Sequence, residues 1–523
     1  MIQQIPLAVI LGSGAALTSL ALLMFWWLAG RTVSAETAVH AGPVFLRRIA
    51  RNALVPLLAM VIARGLMWVF AAYYLRVLGL ENYGYYAHAV NLIGFFGPLT
   101  DFGLGVLLTR EISRRPDAAS AYLVVVQRIR LLLSIAAIPV VLLIMAGIWY
   151  VDIAPANTIL TAGLLAVALI PANAAGTASS LFAARERMDY TALVQIATVL
   201  LTVGLGIVAI ALGWGYVGLA VTALIANVVT AFVLLRALPH EGTSRAPWDG
   251  QLARTLMLAS VPLMLNALLN IVFFRIDIQV LTMTRDITEV GYYGAAYKYV
   301  EAFALLPSAL VFALFPALSR IAPTDRAALQ SIFTKALQFM LVLAVGSAVC
   351  FSWYATSFIW VIGGDKFLPH GATALAILIW FLPLSYVNAI TQYVLIALDQ
   401  QKWIAIAFAL ATAFNLVTNI IFVPQYGYAA AAVTTVLSEL VLLAPFFVIA
   451  RRREIMIPIL STGWRPLLAG VGMFAVAWFT SSLPALPSMA LAGFVYLGLV
   501  IALGALPRED IARFWSALRG ART

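Results

Sequence analysis

The chain has 523 residues, of which 63% are hydrophobic and 10% are charged, and its mean hydropathy is +1.00. These values exclude a soluble globular protein and indicate a polytopic membrane protein. The net charge of +11 does not indicate nucleic-acid binding, because the basic residues lie in short segments beside apolar runs, where they report topology. The single cysteine, Cys350, excludes a disulfide framework and a cysteine-based metal site.

The first apolar run extends from Ile5 to Leu28, with no basic residue before it and Arg31 directly after it. This pattern predicts a transmembrane helix whose N-terminus lies outside. A cleaved signal peptide is the alternative, because Val33-Ser34-Ala35 resembles a cleavage site, but no basic region precedes the run. Residues 45–51 then alternate apolar residues with arginines, which predicts a basic amphipathic helix on an anionic membrane surface.

Fourteen further apolar runs follow from Asn52 onward, and the loops between them alternate between basic and nearly uncharged. The positive-inside rule then predicts an outer N-terminus and a cytoplasmic C-terminus. No loop is long enough for a domain, and no catalytic motif or metal-ligand spacing is apparent, so we expect neither an enzyme nor a bound cofactor or metal. The first two basic loops contain Arg110, Arg114, Arg115, Arg128 and Arg130, then Arg185 and Arg187.

Ionisable residues lie inside several apolar runs, at depths that correspond to hydrocarbon. A charge at the centre of a spanning helix costs about 2.5 to 3.5 kcal/mol, so such side chains should face one another or a water-filled cavity. Either a structural ion pair or a substrate or ion pathway would explain them. The residues are Arg64, Asp101, Arg275, Asp277, Lys298, Glu301 and Glu439.

Sequence spacing predicts how some of these charges are arranged. Lys298 and Glu301 are three residues apart and share one face of a helix. Arg64 and Asp101 lie at similar depths on consecutive spans, which makes them candidates for a pair, although Asp101 also fits a structural cap at a helix end. Glu439 has no basic residue within reach on its own helix, which suggests either a proton-coupling group or a protonated side chain bonded to a neighbouring helix.

An internal repeat relates the two halves of the chain. Gly84-Tyr85-Tyr86 opens one span and Gly291-Tyr292-Tyr293 opens another, and in this register Asn91 corresponds to Lys298. The copies have the same orientation, which indicates two halves related by an axis along the membrane normal. In such proteins, substrate sites lie near mid-depth between the halves.

Two hairpins carry the repeat and a set of specific motifs. The first contains Leu78-Gly79, Tyr83-Gly84-Tyr85, Asp101-Phe102-Gly103-Leu104 and Thr109-Arg110-Glu111, and the second contains Gly291-Tyr292-Tyr293-Gly294-Ala295-Ala296-Tyr297-Lys298, Glu301, Pro307 and Phe315-Pro316-Ala317-Leu318-Ser319-Arg320. These motifs resemble the polysaccharide transporter family, the lipid-linked oligosaccharide flippases of the multidrug/oligosaccharidyl-lipid/polysaccharide exporter superfamily. The similarity covers about Asn52 to Leu506.

The resemblance implies an all-α protein with two six-helix lobes around a central cavity and two additional C-terminal helices, to which this chain adds an N-terminal helix. We expect residues 1–51 to form that helix and a basic linker, 52–238 the N-lobe, 239–254 a cytoplasmic linker, 255–450 the C-lobe, and 451–523 the C-terminal pair and tail. It also implies the cytoplasmic (inner) membrane of a bacterium and alternating access.

The implied activity is the transfer of polyprenyl-diphosphate-linked oligosaccharide from the cytoplasmic to the outer leaflet for polysaccharide biosynthesis and export. The alternative is an ion-coupled exporter of small cations or drugs on the same fold. The implied partners are the lipid-linked substrate, membrane lipids, H⁺ or Na⁺, and a polysaccharide polymerase with its assembly machinery. We expect Arg64, Arg275 and Lys298 to bind the head group, and Glu439, Glu301, Asp277 and Asp101 to act in ion coupling or as charge partners.

Overall fold

A computed structural model describes residues 43–151, 153–238 and 247–505 of the chain. Every regular element within these ranges is a helix, and eleven of the helices are long and apolar enough to cross a membrane. The predicted class, an all-α polytopic membrane protein, is therefore confirmed. The apolar run at residues 5–28 lies outside the described residues.

The described residues divide into two compact units, one ending at Gly291 and the other beginning at Tyr292. The first unit contains α1 (Pro43–Asp101), α2 (Leu104–Arg114), α3 (Ala119–Tyr150), α4 (Ala156–Ala184), α5 (Met188–Ala211), α6 (Gly215–Arg236) and α7 (Gly250–Thr284). Helix α8 (Ile287–Phe303) begins in the first unit and continues into the second. The second unit then contains α9 (Leu305–Ile321), α10 (Arg326–Trp353), α11 (Ala355–Gly363), α12 (His370–Leu378), α13 (Phe381–Ala397), α14 (Gln401–Arg452), α15 (Ile459–Phe479) and α16 (Ala485–Ala502).

Two very long helices each contain a glycine kink that separates two spans. Helix α1 bends at Gly79, where φ is 76°, and α14 bends at Gly427, where φ is 59°. Glycine adopts this left-handed conformation readily because it has no Cβ. The apolar run centred near residue 305 falls on α8 and α9, so each of the fourteen runs after Asn52 lies on a helix.

The break between α8 and α9 follows from a proline. Pro307 has no N–H, so the carbonyl of Phe303, four residues earlier, loses its helical hydrogen bond. The buried hydroxyl of Tyr386 on α13 donates to this carbonyl at 2.7 Å. The hydroxyl therefore replaces the missing donor in a region where water is scarce.

Large apolar side chains lie both inside and outside the units. Leu104, Val126 and Leu181 are fully buried in the core of the first unit, whereas Leu143 and Phe494 are each 75% exposed on helices of spanning length. Such exposure is unfavourable in water but suits contact with lipid acyl chains, while helical hydrogen bonding satisfies the backbone. The distribution agrees with a protein that spans a membrane many times.

The C-terminal helices α15 and α16 pack on α10 within the second unit. The Tyr496 hydroxyl on α16 donates to the carbonyl of Val342 at 2.6 Å, and its ring lies against Gly346, where a Cβ would approach the ring to 2.6 Å. Tyr354 and Ser488 join the opposite end through their hydroxyls at 2.7 Å. The predicted C-terminal pair is therefore an integral part of this unit.

Helix α7 follows the predicted linker between the lobes. Residues 239–246 of that linker lie outside the described residues, and the side chain of Asp249 caps the start of α7 by accepting from the amides of Gln251 and Leu252 at 2.9 and 3.0 Å. From there α7 packs against α1 and α2 in the first unit. The lobe boundaries at 52–238 and 255–450 stay a prediction.

Candidate functional site

Arg275 lies on α7 and is bonded to Asn91 on the second half of α1. The Asn91 Oδ1 accepts from Arg275 Nη1 at 2.8 Å, while its Nδ2 donates to the carbonyl of Ala87 at 2.7 Å. Because Nδ2 is committed to the helix, Oδ1 is oriented toward the guanidinium. The Arg275 side chain also passes Gly94, where a Cβ would lie 4.0 Å from its Cδ. The arginine is thus positioned by an amide and a small residue one turn apart.

The neighbouring acid, Asp277, is 2% exposed, and its Oδ1 accepts from the amide of Ile278 at 2.8 Å. Asp277 makes further polar contacts, and its predicted role as a charge partner stays a prediction.

Lys298 and Glu301 form an ion pair on α8. Lys298 Nζ donates to Glu301 Oε2 at 2.9 Å, which agrees with the helix face that their spacing predicts. Their side chains are 27% and 29% exposed, so neither charge is fully desolvated. A partly exposed ion pair of this kind can exchange its partners more readily than a buried one, because water offsets part of the cost.

Asp101, at the end of α1, binds the guanidinium of Arg130 on α3. Arg130 is 1% exposed, and its Nη1 also donates to Thr177 Oγ1 on α4 at 2.8 Å. Two glycines leave space for the guanidinium, because a Cβ at Gly105 would lie 2.9 Å from Nη2 and one at Gly176 would lie 3.6 Å from Nη1. Arg130 therefore joins α1, α3 and α4, and Asp101 supplies its charge partner.

The residues after Asp101 form a left-handed turn that packs closely against α7. Phe102 has φ 54° and Gly103 has φ 71°. A Cβ at Gly103 would lie 2.7 Å from the Cβ of Leu263 and 2.9 Å from the amide nitrogen of Met264, both on α7. The Asp-Phe-Gly motif of the first hairpin thus combines an ion pair with a turn that requires glycine.

Arg64 lies exposed on the first half of α1. The sequence suggested Asp101 as its partner, whereas the acid binds Arg130 in the structure. Head-group binding by Arg64 stays a prediction.

Glu439 lies on the second half of α14 and is 1% exposed. Asn388 on α13 donates Nδ2 to Glu439 Oε2 at 2.6 Å and to the Glu439 carbonyl at 2.8 Å. Across the described part of the chain, no basic side chain forms an ion pair with this carboxyl group. The structure therefore contains the bond to a neighbouring helix that was one of the two expectations for Glu439, and coupling stays a prediction.

Further amides near Glu439 form hydrogen bonds across and within the two halves of α14. Asn415 Nδ2 donates to Ser438 Oγ at 2.9 Å, across the kink in α14, and Asn419 Nδ2 donates to the Asn415 carbonyl at 2.8 Å. All three side chains are essentially buried. The bond from Asn415 to Ser438 therefore joins the two halves of α14, as interhelical polar bonds do in membrane proteins.

Sequence reasoning missed three residues that organise these clusters. Arg130 was counted in a basic loop, whereas it lies buried within α3, and the nearby glycines Gly105 and Gly176 are the only sequence signal of the space it occupies. Asn91 was noted only as a repeat position, and Asn388 was not singled out; the charged partners of both lie on other helices. Spacing within one helix carries no information about such contacts.

Comparison with known proteins identifies the family. A family model described as polysaccharide biosynthesis protein matches residues 49–322, which is more than half of the chain and includes both repeat hairpins. A sequence comparison with curated proteins returns no match.

The fold is similar to those of solved membrane transporters. The structure of lipid II flippase MurJ in an inward closed conformation has a TM-score of 0.72 at 15% identity, covering 86% of this chain and 99% of that one. An inward-facing multidrug resistance MATE family transporter of the MOP superfamily has a TM-score of 0.63 at 16% identity, covering 77% and 98%. The Vibrio cholerae MATE transporter VcmN has 0.55 at 17%, covering 78% and 97%. The fold of this chain is thus similar to those of MurJ and the MATE transporters. The chain is a multi-span membrane protein and belongs to the polysaccharide biosynthesis protein family, as its two hairpins predicted.

Proposed function

We propose that the protein is a flippase that moves polyprenyl-diphosphate-linked oligosaccharide from the cytoplasmic to the outer leaflet by alternating access. The observation that carries this proposal is the family match over residues 49–322, because it covers Asn91, Asp101, Arg275 and Lys298 in their helices. The fold shared with a lipid II flippase supports a substrate with a lipid-linked head group. The protein would act in polysaccharide biosynthesis and export, beside a polymerase and its assembly machinery.

Arg275 and Lys298 are the proposed ligands of the diphosphate, with Arg64 as a further basic contact. Arg275 is half-buried, and the neutral side-chain amide of Asn91 positions its guanidinium. Lys298 pairs with Glu301 within its own helix turn, and both side chains of the pair are partly exposed. A guanidinium binds phosphate oxygens through two parallel hydrogen bonds, and an ammonium adds a compact point charge. Both groups can therefore bind an anionic head group at modest desolvation cost.

Glu439 is the proposed coupling group for H⁺, or for Na⁺ if a cation replaces the proton. A carboxyl group that is buried beside one amide and without an ion pair is costly to keep charged. It can therefore take up a proton in one state of the cycle and release it in another. The alternative is a permanently protonated Glu439 that joins α14 to α13 through Asn388. Glu301, Asp277 and Asp101 are proposed as charge partners.

The proposed location is the cytoplasmic membrane of a bacterium, with the N-terminus outside and the C-terminus in the cytoplasm. Basic residues at the ends of α2, α4 and α6 support this orientation, since successive spans return these ends to one side. The proposed lobes are residues 52–238 and 255–450.

An ion-coupled exporter of small cations or drugs is the second candidate, because the fold is also that of MATE family transporters. The experiment that separates the two is deletion of the gene, followed by measurement of lipid-linked sugar in each leaflet. The flippase proposal predicts accumulation in the cytoplasmic leaflet. Unchanged glycan together with altered drug tolerance would support the exporter and refute the flippase.

A further inference from the structure

Two glycines bring α1 and α8 into backbone contact at equivalent positions of the repeat. A Cβ at Gly84 would lie 2.4 Å from the carbonyl oxygen of Ile287, and a Cβ at Gly291 would lie 2.8 Å from the carbonyl oxygen of Leu80. Real Cβ atoms do not approach other heavy atoms this closely, so only glycine permits either contact. We call these four residues the glycine crossing. All four lie in the first compact unit.

The glycine crossing is reciprocal with respect to the internal repeat. Positions 84 and 291 differ by 207, and so do positions 80 and 287. Each copy of the repeat therefore contributes one glycine. That glycine contacts, in the other copy, the carbonyl oxygen of the residue four positions before the other glycine. Accidental packing would not produce the same contact twice in one register. The crossing thus follows the two-fold relation between the copies.

The glycine crossing lies where both helical segments begin, and the turn that leads into α8 is polar. Helix α1 resumes after the kink at Gly79, and α8 begins after Asp286, whose Oδ1 accepts from the amide and hydroxyl of Thr288 at 2.8 and 2.7 Å. These hydrogen bonds hold the pKa of Asp286 below its usual range. Arg285 and Glu289 form an exposed ion pair at 2.7 Å in the same turn. The crossing therefore lies at the water-facing end of the two spans, which is the outer end in the proposed orientation.

The four residues of the glycine crossing meet through backbone groups and apolar side chains. Glycine Cα–H groups face carbonyl oxygens, and such contacts contribute only weakly in a condensed phase. The Leu80 and Ile287 side chains complete the surface, and both are partly exposed. Contact among these four residues is tight because the backbones approach, and its separation breaks no ion pair among the four, since none of them is charged.

We infer that the glycine crossing is the outer gate of the transporter, which closes when Gly84 and Gly291 meet the opposite carbonyls and opens when they separate. This inference rests on the proposed function, because alternating access requires the two repeat copies to part on the outer side in one state. A side chain at either glycine holds the crossing open.

The test measures labelling of a reporter cysteine from outside the cell. Cys350 is the single native cysteine, so Cys350→Ala with Ile287→Cys gives one thiol beside Gly84. A membrane-impermeant maleimide is added to intact cells, and the labelling rate is expressed per inserted protein. Gly84→Ala should raise this rate about fivefold or more and abolish export, because the overlap with a backbone oxygen disfavours closure. Gly97→Ala is the matched control on the same helix, since a Cβ there meets nothing within 4 Å.

The repeat counterpart of Gly84 provides a second test variant, Gly291→Ala. Gly291→Ala should act in the same direction as Gly84→Ala, with a smaller effect, because part of its overlap is with the flexible Leu80 side chain at 2.7 Å. If Gly84→Ala does not insert into the membrane, the labelling rate of Gly291→Ala alone tests whether the glycine crossing is the gate. Equal labelling rates in the Gly291→Ala, Gly97→Ala and parent chains, or absence of labelling from outside in all of them, would overturn the gate.

The labelling assay needs no substrate, so it tests the gate independently of the proposed function. Raised labelling in a chain whose deletion leaves lipid-linked sugar unchanged would keep the gate and reject the flippase. Unchanged labelling in a chain that glycan export requires would reject the gate alone.

Discussion

Replacing Asp101 with Asn should destabilise the first unit more than removing the arginine that it binds. The Arg130 side chain is 1% exposed, and it also donates hydrogen bonds to Thr177 Oγ1 at 2.8 Å and to the Asn173 carbonyl at 3.5 Å. Asp101→Asn leaves the guanidinium buried with these two partners. These partners are neutral. Among the described residues, Asp101 is the one carboxylate that pairs with Arg130. The substitution therefore leaves a desolvated charge with neutral hydrogen-bond partners and no charged one.

The expected magnitudes differ because the two partners differ in exposure. Removing one partner of a buried ion pair costs about 3 to 5 kcal/mol when the other remains buried and charged. Arg130 meets that condition, and we expect about 3 kcal/mol for Asp101→Asn, since Asp101 is 39% exposed and water reaches the pair from its side. Arg130→Met leaves an aspartate that water can solvate, so its cost should be about 1 kcal/mol. The double variant should recover most of the loss.

The assay is denaturant unfolding of the purified protein in detergent, with Arg128→Gln as the control. Arg128 lies on the same helix and carries the same charge, but it is exposed, and its guanidinium lies 6.0 Å from the Trp248 ring. Its replacement should change the free energy of unfolding by less than about 1 kcal/mol. The reasoning is refuted if Asp101→Asn is as stable as the parent, or if Arg130→Met is the more damaging change.

Other predictions concern transport and topology. Arg275→Gln and Lys298→Gln should each abolish surface glycan while the protein inserts at normal levels, because an amide keeps hydrogen bonding but loses the charge for phosphate; quantification of surface glycan and of inserted protein checks this, and normal export by the double variant would remove both from the site. Glu439→Gln should abolish the response of vesicle transport to an imposed pH gradient, and a parental response would reject coupling through this residue. A reporter active only in the cytoplasm should work at Thr523 and fail before Ile5, whereas activity at both ends would contradict the first span.

The fold was largely predictable from sequence because hydrophobic length dominates in a membrane. Each apolar run after Asn52 lies on a helix, since a span must satisfy its own backbone hydrogen bonds. The kinks at Gly79 and Gly427 were less visible. A glycine allows a helix to kink, but packing against the surrounding helices determines whether a kink forms.

The clusters of polar residues were predictable only within single helices. Lys298 and Glu301 pair because three-residue spacing brings them together on any helix. The partners of Arg275 and Asp101 are on other helices, and depth along the membrane did not identify Asn91 or Arg130. Depth constrains one coordinate, whereas contact also depends on the rotation of each helix, which packing sets.

The most direct test of the proposed function is transfer of the substrate by the purified protein in vesicles. Polyprenyl-diphosphate oligosaccharide is placed in one leaflet, and its appearance in the other is measured with an impermeant probe of the sugar. The account predicts transfer by the parent and by Arg285→Gln, which loses only an exposed ion pair, and none by the Arg275→Gln/Lys298→Gln chain. Transfer no faster than in protein-free vesicles, or undiminished transfer by the double variant, would contradict it.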